Sequence, residues 1–316
     1  MSYRRNKANF IKIGAYITGY RDSYLIQKTI EYLVSQSHAV DFIFIVDNSP
    51  ASLNISISIP HIIKHCPNNI GVAGGLSTSM QWFLDNEYDF IWAFDQDSQI
   101  APNSLQIMLS EYNYLDKNHI PVAIISPTVI DSQSQIRLAN GYLNKYQLNW
   151  RLPNKVDYYQ ESLYQCDVVI TSGSLINLQA AKNIPLPNPD LFIDGVDWEY
   201  CLNLRKQGYH ICVSEKTTMQ HNFGTYLTHL NKDHPIYIYS PLRYYYINRN
   251  HTYIETRLSD HPYYRTLSYL HRIKSLIKKI GKIIIYEPDQ KLLKIWASCL
   301  GFYHGLIGKL GKTWLP

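Results

Sequence analysis

The sequence predicts an α/β protein with a mostly parallel central sheet and helices on both of its faces. Short apolar runs of strand length alternate with amphipathic segments of helical length, and the links between them are short. The run Phe90–Phe94 is apolar throughout, which is typical of a strand buried on both faces of a parallel sheet. At 316 residues, of which 46% are hydrophobic and 17% charged, the chain is globular and long enough for one large core with an appendage.

The predicted elements follow the chain in strand–helix order. Phe10–Thr18 is a first strand, and Asp22 or Ser23 is expected to cap a helix that ends near Val34. The segment 140–164 is rich in Asn, Tyr and Lys and predicts a long loop or hairpin over the sheet edge. The other predicted strands are Phe42–Val46, Ile62–His65, Phe90–Phe94, Val122–Val129, Val168–Asn177 and His210–Val213, and the other helices run to about Asn86, from about Asn103 and to about Gln207.

The N-terminal segment, the length of the apolar runs and the cysteine spacing indicate in which cellular compartment the protein is expected. The basic start, Met1–Lys7, precedes an apolar run that Lys12 and Gly14 break, which indicates a first strand and not a signal peptide. No apolar run approaches about 20 residues, so we expect no segment that spans a bilayer. The 5 cysteines are scattered without a Cys-x-x-Cys pair, which predicts free thiols in a reducing compartment and no zinc site.

The net charge of +5 is concentrated near the C-terminus. From Asp260 onward, apolar residues recur at helical spacing among many basic residues, whereas acidic residues are few. A basic amphipathic tail suits an anionic membrane surface better than nucleic acid, although helices of this kind can also pack on the rest of the protein. The basic residues of this tail are Arg265, Arg272, Lys274, Lys278, Lys279, Lys282, Lys291, Lys294, Lys309 and Lys312.

Two carboxylates, Asp95 and Asp97, come directly after the buried strand Phe90–Phe94. Ligands in an open α/β sheet bind beyond the carboxyl ends of the strands. Carboxylate oxygens at that edge suit a divalent cation, which in turn binds a diphosphate. The alternative is that both residues only form the turn before the next helix. His221, near a turn after a later strand, would complete a metal site if it faces this loop, and a mixed shell favours Mn²⁺ over Mg²⁺.

A second acidic stretch opens a predicted helix. Asp194 is expected to be its N-cap and Asp197 to lie in its first turn, where the helix dipole favours carboxylates. A carboxylate held there is expected to stay ionised at neutral pH and to be able to accept a proton from a hydroxyl. Helix capping alone is the alternative explanation.

The Gly-rich bend Pro67–Gly75 has neither a dinucleotide fingerprint nor a Walker lysine. Its small residues either let a helix pack close to the sheet or leave room for a nucleoside near the helix N-terminus. The two interpretations are compatible.

Taken in order, these motifs resemble family 2 glycosyltransferases, and most closely the bacterial rhamnosyltransferases of O-antigen, capsule and cell-wall polysaccharide synthesis. The resemblance covers roughly residues 10–311. The matching motifs are Thr18-Gly-Tyr20, Val46-Asp47-Asn48-Ser49, Asn69-Ile-Gly71-Val-Ala73-Gly-Gly75, Asp95-Gln-Asp97-Ser98, Asp194-Gly-Val-Asp197-Trp-Glu199, His221-Asn-Phe-Gly224, Arg243-Tyr-Tyr-Tyr-Ile-Asn-Arg249-Asn250 and Gly305-Leu-Ile-Gly308-Lys-Leu-Gly311.

The resemblance implies a GT-A (nucleotide-diphospho-sugar transferase) fold with a C-terminal helical appendage. It divides the chain into a catalytic domain over 1–230, with a nucleotide-sugar half at about 10–100 and an acceptor half at about 100–230. A basic, Tyr-rich and helical region follows over 231–316.

The resemblance also implies roles for individual residues. Arg21 departs from the family, which often has Asn there, and this makes the base contacts the least secure of the roles. The implied roles are nucleotide-sugar binding by Thr18, Tyr20, Asp47, Asn69, Gly71, Gly74 and Asp95, metal binding by Asp95, Asp97 and His221, general-base catalysis by Asp197, and acceptor binding by Trp198 and Glu199.

The implied activity is an inverting transfer of a sugar, with Mn²⁺ or Mg²⁺, from dTDP-rhamnose to a glycan or lipid-linked acceptor at the cytoplasmic face of the membrane. Three alternatives stay open: another nucleotide-diphospho-hexose donor, a sugar nucleotidyltransferase, and a non-catalytic nucleotide-sugar binder. A nucleotidyltransferase normally needs a basic phosphate clamp near its Gly-rich loop, and 67–75 contains no Lys or Arg. Nucleic acid is not an expected partner.

Overall fold

The computed structural model describes residues 11–224, 226–227 and 236–314. The basic start and the first residue of the first predicted strand, Phe10, lie outside the described residues. The strands are β1 (Ile13–Gly19), β2 (Phe42–Asp47), β3 (His61–His65), β4 (Phe90–Asp95), β5 (Gln99–Ile100), β6 (Val122–Asp131), β7 (Asn140–Leu143), β8 (Leu148–Arg151), β9 (Tyr158–Gln160), β10 (Leu163–Cys166), β11 (Leu175–Asn177), β12 (His210–His221), β13 (Tyr226–Leu227) and β14 (Ile236–Tyr237). The helices are α1 (Ser23–Val34), α2 (Gly71–Asp85), α3 (Ser104–Lys117), α4 (Leu178–Ala181), α5 (Val196–Lys206), α6 (Pro241–Glu255), α7 (Pro262–Tyr286) and α8 (Lys291–Ile307).

The central sheet of the described residues has 10 strands in the order β3-β2-β1-β4-β11-β6-β12-β10-β9, with β5 also paired to β12. The pairs β3–β2, β2–β1, β1–β4 and β6–β12 are parallel, and the other pairs are antiparallel. All strands except β5, β10 and β11 therefore run in one direction. This confirms the predicted mostly parallel sheet.

Strand β1 shows why the sheet has a core on each face. All of its residues are buried, and successive side chains point to opposite faces. Tyr16 packs in a core that α2 and α5 cover, with Phe83 of α2 among its members. The next residue, Ile17, packs in the core that α1 and α3 cover, together with Ile30 and Met108. The predicted placement of helices on both faces is confirmed.

Local sequence signals fixed several elements correctly. The backbone N–H of Leu25 donates to the Asp22 carboxylate at 3.0 Å, so Asp22 caps α1 as predicted. The segment 140–164 forms the hairpin β7–β8 and, with β10, the antiparallel edge of the sheet. All 5 cysteines are free thiols, as expected.

The strand predicted over Val168–Asn177 is wrong for most of its length, because only β11 is a strand and it runs antiparallel to its neighbours. Gly173 adopts a φ of 80°, and its backbone N–H donates to the Ala93 carbonyl at 2.7 Å. The Trp92 indole donates to the Gly173 carbonyl at 2.9 Å. This turn packs against the end of β4. Strand β12 is longer than predicted and extends from His210 to His221.

The C-terminal region is helical, as predicted, and α6 and α8 pack closely against each other. A Cβ atom added at Gly301 would clash with the Tyr245 carbonyl oxygen, and one at Gly305 would clash with the Arg249 carbonyl oxygen. Helix α7 is different, since only Ser268, Arg272 and Ile283 of its residues are buried. Among the described residues, no helix has the length and apolar character needed to cross a membrane.

Gly305→Ala tests the close approach of α6 and α8. The added methyl group meets the Arg249 carbonyl oxygen and the Cβ atom of Thr252, neither of which can move without a shift of the backbone. We therefore expect the free energy of unfolding to fall by about 1–3 kcal/mol, as for other overpacked sites. Gly281→Ala in α7 is the matched control, because no atom lies within 4 Å of its added Cβ, and helix propensity predicts a gain of about 0.5–1 kcal/mol there. Urea unfolding of both variants measures the difference, and an equal gain in both would contradict this packing.

Candidate active site

A cleft of about 1000 Å³ opens at the carboxyl ends of β1 and β4, between the N-termini of α2 and α5. This is the edge at which ligands bind in open α/β sheets. Thr18 and Asp95 stand at the ends of the two strands. The predicted site residues that line the cleft are Thr18, Tyr20, Asn69, Gly71, Asp95, Asp97, Asp197 and His221.

The loop after β4 brings Asp95 and Asp97 to the ring of His221, so His221 does face this loop. Asp95 Oδ2 is 3.6 Å from His221 Nε2, and Asp97 Oδ1 is 3.4 Å from His221 Nδ1. Ser172 Oγ accepts a hydrogen bond from the Asp95 backbone N–H at 3.0 Å. The turn at Gly173 thus holds this loop in place.

The donor types at this place fit a divalent cation. Two carboxylates and an imidazole suit Mn²⁺, and the buried Nδ1 of His221 has no hydrogen-bond partner. The two ring nitrogens face different carboxylates, however, so the three side chains do not converge on one point. Across residues 11–224, 226–227 and 236–314, no group of three His, Cys, Asp or Glu residues is arranged to hold a metal ion.

The cleft carries an excess of negative charge. Burial raises the pKa of the Asp97 carboxyl, and the neighbouring Asp95 adds to this, while His221 opposes it. Asp194 and Asp197 line the same cleft. Carboxylates brought together out of water destabilise one another, so the site favours a bound cation.

The N-terminus of α5 differs from the prediction. The N-cap is Gly195 in the left-handed conformation, with no side-chain cap hydrogen bond, so the prediction that Asp194 caps this helix is wrong. Asp194 itself has a φ of 62° and is paired with Arg243, whose Nε lies 3.4 Å from Asp194 Oδ2. The guanidinium of Arg243 also lies over the Tyr239 ring, 4.8 Å from its centroid.

Asp197 lies in the first turn of α5, and its protonation differs from the expectation. Burial raises the pKa of its carboxyl to about 7, and the charges of Asp194 and Asp95 add to the effect, although the hydrogen bond to its backbone acts in the other direction. Desolvation therefore outweighs the helix dipole. A pKa raised toward neutrality suits a group that takes up and releases a proton.

The chain that leads to Asp197 is held by two buried side chains of α6, which we call the α6 clamp (Arg249 and Asn250). Asn250 Nδ2 donates to the carbonyls of Leu191, Ile193 and Asp194 at 2.7–2.8 Å. Arg249 donates to the carbonyls of Asp190 and Leu191 at 2.9 Å and to that of Gly311. The sequence indicated these residues only through the family resemblance.

On the nucleotide side, Tyr20 is the most exposed of the predicted aromatic contacts, at 41%. Arg21 has a φ of 62° and lies over the Tyr20 ring, 4.8 Å from its centroid. The residue that departs from the family therefore occupies one face of the ring predicted to stack on the base.

The Gly-rich bend has the geometry of a turn that prepares α2. Asn69 and Gly71 have φ values of 49° and 73°, and the Asn69 side chain accepts the Gly71 backbone N–H at 2.9 Å. Only glycine fits at position 71, because a Cβ atom there would clash with the Phe192 carbonyl oxygen.

Four predicted site residues do not line the cleft. Asp47 is fully buried and accepts the backbone N–H groups of Ser49 and Leu53, both at 2.9 Å, so it shapes the loop after β2. Gly74 is buried inside α2.

The other two residues, Trp198 and Glu199, point away from the cleft wall. Trp198 stacks on His251 with ring centroids 3.7 Å apart. Glu199 accepts a hydrogen bond from Asn203 at 2.7 Å. Their placement does not support the predicted contact with an acceptor.

Two cleft cations were not among the predicted site residues. Arg243 lines the cleft beside Asp194, and Lys312 lines it from the far end of the chain. Lys312 Nζ donates to the Asn68 carbonyl at 2.6 Å and lies over the Phe192 ring, 5.6 Å from its centroid. No local pattern reveals this, because Lys312 and Asn68 are 244 positions apart.

Comparison with solved structures identifies the class of fold. GalNAc-T7, solved with UDP, GalNAc and Mn²⁺, has a TM-score of 0.60 and 11% identity over 95% of this chain and 57% of its own. S. aureus TarS has a TM-score of 0.54 and 12% identity over 90% of this chain and 48% of its own. The chain has the GT-A glycosyltransferase fold.

Within that class, the sequence resembles a rhamnosyltransferase. The dTDP-rhamnosyl transferase RfbF of Shigella flexneri is 25% identical over 183 residues. The match spans 58% of this chain and 58% of the relative. No protein-family model matches the chain.

The titration of Asp197 tests the electrostatics of the cleft. We expect its carboxyl carbon signal to move with a midpoint near pH 7, because the folded protein disfavours the charged form. The contribution of this carboxyl to the free energy of unfolding is largest below the ordinary pKa of Asp, and it is lost as the pH rises to about 7. Relative to wild type, Asp197→Asn is therefore expected to gain stability as the pH rises toward 7 and to gain no more above it.

Carbon-13 NMR with the Asp197→Asn spectrum as the assignment control measures the titration midpoint. A midpoint near 4 would contradict the desolvation.

Proposed function

We propose that this protein is an inverting glycosyltransferase that moves a sugar from a nucleotide diphosphate to a glycan or lipid-linked acceptor. The observation that carries the proposal is a GT-A cleft in which the Asp95–Asp97 pair and Asp197 face the same space. The likeness to a dTDP-rhamnosyl transferase supports dTDP-rhamnose as the donor and cell-surface polysaccharide synthesis as the setting.

The donor nucleotide is proposed to bind at the β1 side of the cleft. Thr18 and Tyr20 follow β1, and Asn69 and Gly71 lie at the start of α2. The exposed ring of Tyr20 suits stacking on a pyrimidine base, and the backbone around Gly71 lets a nucleoside come close. Asp47 and Gly74 are proposed to contribute indirectly, since Asp47 shapes the loop after β2 and Gly74 is buried inside α2.

Asp95 and Asp97 are proposed to hold a divalent cation that would bind the diphosphate. His221 would join them as a third ligand only after its ring reorients, because its two nitrogens face different carboxylates. When bound, the cation neutralises charge that develops on the leaving diphosphate. Mn²⁺ in the structurally similar GalNAc-T7 supports this choice. Arg243 and Lys312 supply protein cations to the same cleft.

Asp197 is proposed to act as the general base. Its carboxylate takes the proton from the acceptor hydroxyl while the hydroxyl oxygen forms a bond to the anomeric carbon. The bond from that carbon to the diphosphate oxygen breaks, and the nucleoside diphosphate leaves with the electron pair. Attack opposite the leaving group inverts the anomeric configuration. A positioned base contributes typically about 10²–10⁴-fold to the rate.

Two alternative functions, a sugar nucleotidyltransferase and a non-catalytic nucleotide-sugar binder, can be distinguished from a glycosyltransferase by their products. A sugar nucleotidyltransferase gains support from Lys312, because this residue gives the Gly-rich loop the cation that its own sequence lacks. A nucleotidyltransferase joins a nucleoside triphosphate to a sugar phosphate and releases pyrophosphate, whereas a glycosyltransferase releases a nucleoside diphosphate. A non-catalytic binder would release neither. The donor sugar can also be another hexose.

We propose a domain division at about residue 230, with a nucleotide-sugar half over 10–100, an acceptor half over 100–230 and a C-terminal region over 231–316. The described part of the C-terminal region is not independent of the cleft, because the α6 clamp and Lys312 reach it.

The C-terminal region is further proposed to bind an anionic membrane at the cytoplasmic face. Leu270, Ile273, Ile277 and Ile284 form an exposed stripe along α7, each at least 44% exposed. The exposed Lys274 and Lys278 flank it. Such a helix side suits the boundary between lipid headgroups and acyl chains.

Three of the basic residues predicted to face lipid do not do so. Arg272 is buried and pairs with Glu255 at 3.4 Å. Lys294 is buried and pairs with Glu287 at 2.6 Å. Lys279 faces a cavity, which is described below.

A donor screen tests the activity and its metal dependence together. We expect release of a nucleoside diphosphate from dTDP-rhamnose when an acceptor and Mn²⁺ are present, loss of turnover in chelator, and restoration by Mn²⁺ at least as well as by Mg²⁺. The measurement is coupled detection of free nucleoside diphosphate across several activated sugars. Full turnover in chelator would contradict a role for the metal, and formation of dTTP and rhamnose phosphate from dTDP-rhamnose and added pyrophosphate would identify a nucleotidyltransferase.

Asp197→Asn tests the base. We expect the variant to fold, to bind donor nearly as well as wild type and to lose transfer by about 10²–10⁴-fold. Asp190→Asn is the matched control, since it removes the same charge from an exposed position in the preceding loop and does not line the cleft. Steady-state kinetics of both variants decide the point, and an active Asp197→Asn enzyme would mean that another group takes the proton.

Vesicle sedimentation tests the membrane surface. We expect binding to vesicles that contain phosphatidylglycerol, weaker binding as salt rises because exposed charges are screened, and weaker binding for the Ile273→Gln/Ile277→Gln variant. Leu152→Gln/Val156→Gln is the control, because these apolar side chains are also exposed but lie outside α7 and α8. Equal loss in both variants, or equal binding to neutral vesicles, contradicts the proposal.

A further inference from the structure

A second cavity lies beside the main cleft, between the start of α6 and the C-terminal half of α7. It has a volume of about 210 Å³, which is smaller than the roughly 300–1,000 Å³ of sites for whole small molecules. It has room for one chemical group of a larger ligand. The lining residues are Tyr237, Ile238, Tyr239, Tyr244, Lys279, Lys282, Tyr286 and Glu287.

The cavity wall carries two lysines, Lys279 and Lys282, that have no direct partner among the described residues. Neither Lys279 nor Lys282 makes a hydrogen bond or an ion pair with another residue in the described ranges. The acidic residue of the wall, Glu287, is already paired: it lies 2.6 Å from Lys294 Nζ and accepts the Tyr244 hydroxyl at 2.5 Å. Among the described residues of the wall, the unpaired charge is therefore positive.

The environment of Lys279 makes an anionic ligand favourable. Burial lowers the pKa of its amine to about 7, and the neighbouring charges of Arg272 and Lys282 lower it further, against the opposing effect of Asp194. A lysine in that position is stabilised in its charged form by a nearby anion.

The cavity is next to the site of the proposed proton transfer. Tyr239 lines the cavity and also carries the guanidinium of Arg243 on its ring. Arg243 pairs with Asp194 in the wall of the main cleft, three residues before Asp197. The side chains of Tyr239, Arg243 and Asp194 thus link the cavity to the wall of the main cleft.

We propose that this cavity binds a phosphate group and that Lys279 and Lys282 are its ligands. Two flexible ammonium groups act as point charges and suit phosphate, whereas a planar carboxylate is matched better by the fork of an arginine. The tyrosine rings around them form a flat apolar wall. That the phosphate belongs to the acceptor rests on the proposed function, while the binding of phosphate by the cavity does not.

The consequence for specificity is that the enzyme selects acceptors that carry a phosphate, such as a glycan linked to a lipid through a phosphate ester or diphosphate. The phosphate holds the acceptor while its hydroxyl meets Asp197. A phosphate-free glycan of the same structure then loses this anchor and binds more weakly.

The first experiment measures the binding of inorganic phosphate by calorimetry, with the main cleft saturated by dTDP. We expect binding to wild type and about tenfold or greater weakening in Lys279→Gln and in Lys282→Gln, as for the loss of a charged hydrogen bond. Lys274→Gln and Lys278→Gln are the matched controls, since both lysines are exposed on the same helix and outside the cavity. Equal affinities in all five proteins would overturn the inference, and thermal unfolding confirms that each variant is folded.

The second experiment compares the KM of a glycan phosphate ester with that of the same glycan without phosphate. We expect a KM lower by about tenfold for the phosphate ester in wild type, and equal KM values in Lys279→Gln with an unchanged donor KM. Equal KM values in wild type would overturn the acceptor role. If Lys279→Gln instead lost only its binding to vesicles that contain phosphatidic acid, the ligand would be a lipid headgroup, and the acceptor role would also be overturned.

Donor turnover separates the failure of this inference from that of the proposed function. If phosphate binding depends on Lys279 but the protein turns over no nucleotide sugar, the phosphate site is supported and the proposed transferase activity is contradicted. If the protein turns over donor but phosphate binding is unchanged in Lys279→Gln, the phosphate site is contradicted and the proposed transferase activity is not.

Discussion

The architecture of the cleft depends on the α6 clamp. Arg249 and Asn250 are fully buried, and they donate to four successive or near-successive carbonyls between Asp190 and Asp194 and to that of Gly311. Leaving a buried carbonyl without a donor costs about 1–3 kcal/mol, so the clamp outweighs the strain of the left-handed residues Phe192 and Asp194. It fixes the start of α5, which carries Asp197, and the C-terminal segment, which carries Lys312.

The loop held by the α6 clamp adds two carboxylates to the cleft and so determines its charge. The loop brings Asp194 and Asp197 to a cleft that already contains Asp95 and Asp97, and loss of water raises the pKa values of Asp97 and Asp197. A site with this charge favours a cation and a substrate that brings one, as a nucleotide diphosphate does. The protein cations near the cleft come from the C-terminal region, which makes this region part of the site and not a separate appendage.

Much of the fold follows from signals that act over a few residues. The alternation of apolar runs fixed the strands of the parallel half, and a short polar side chain fixed the start of α1 at Asp22. The pairing of Asp95 and Asp97 with His221 was predictable because strand ends meet at one edge of a sheet. The predictions are wrong where contacts between distant parts of the chain determine the local structure. The turn at Gly173 is held by β4, and Asp194 pairs with Arg243 and does not cap α5. Lys279 faces a cavity, which the helical periodicity of α7 does not reveal.

The central claim is that Asp197 directs an acceptor hydroxyl to the face of the anomeric carbon opposite the leaving diphosphate. The most direct test is the anomeric configuration of the first product, read by proton NMR during transfer from a nucleotide-diphospho-sugar of known configuration. The account predicts a product of inverted configuration together with one nucleoside diphosphate for each sugar transferred. A product of retained configuration would contradict it.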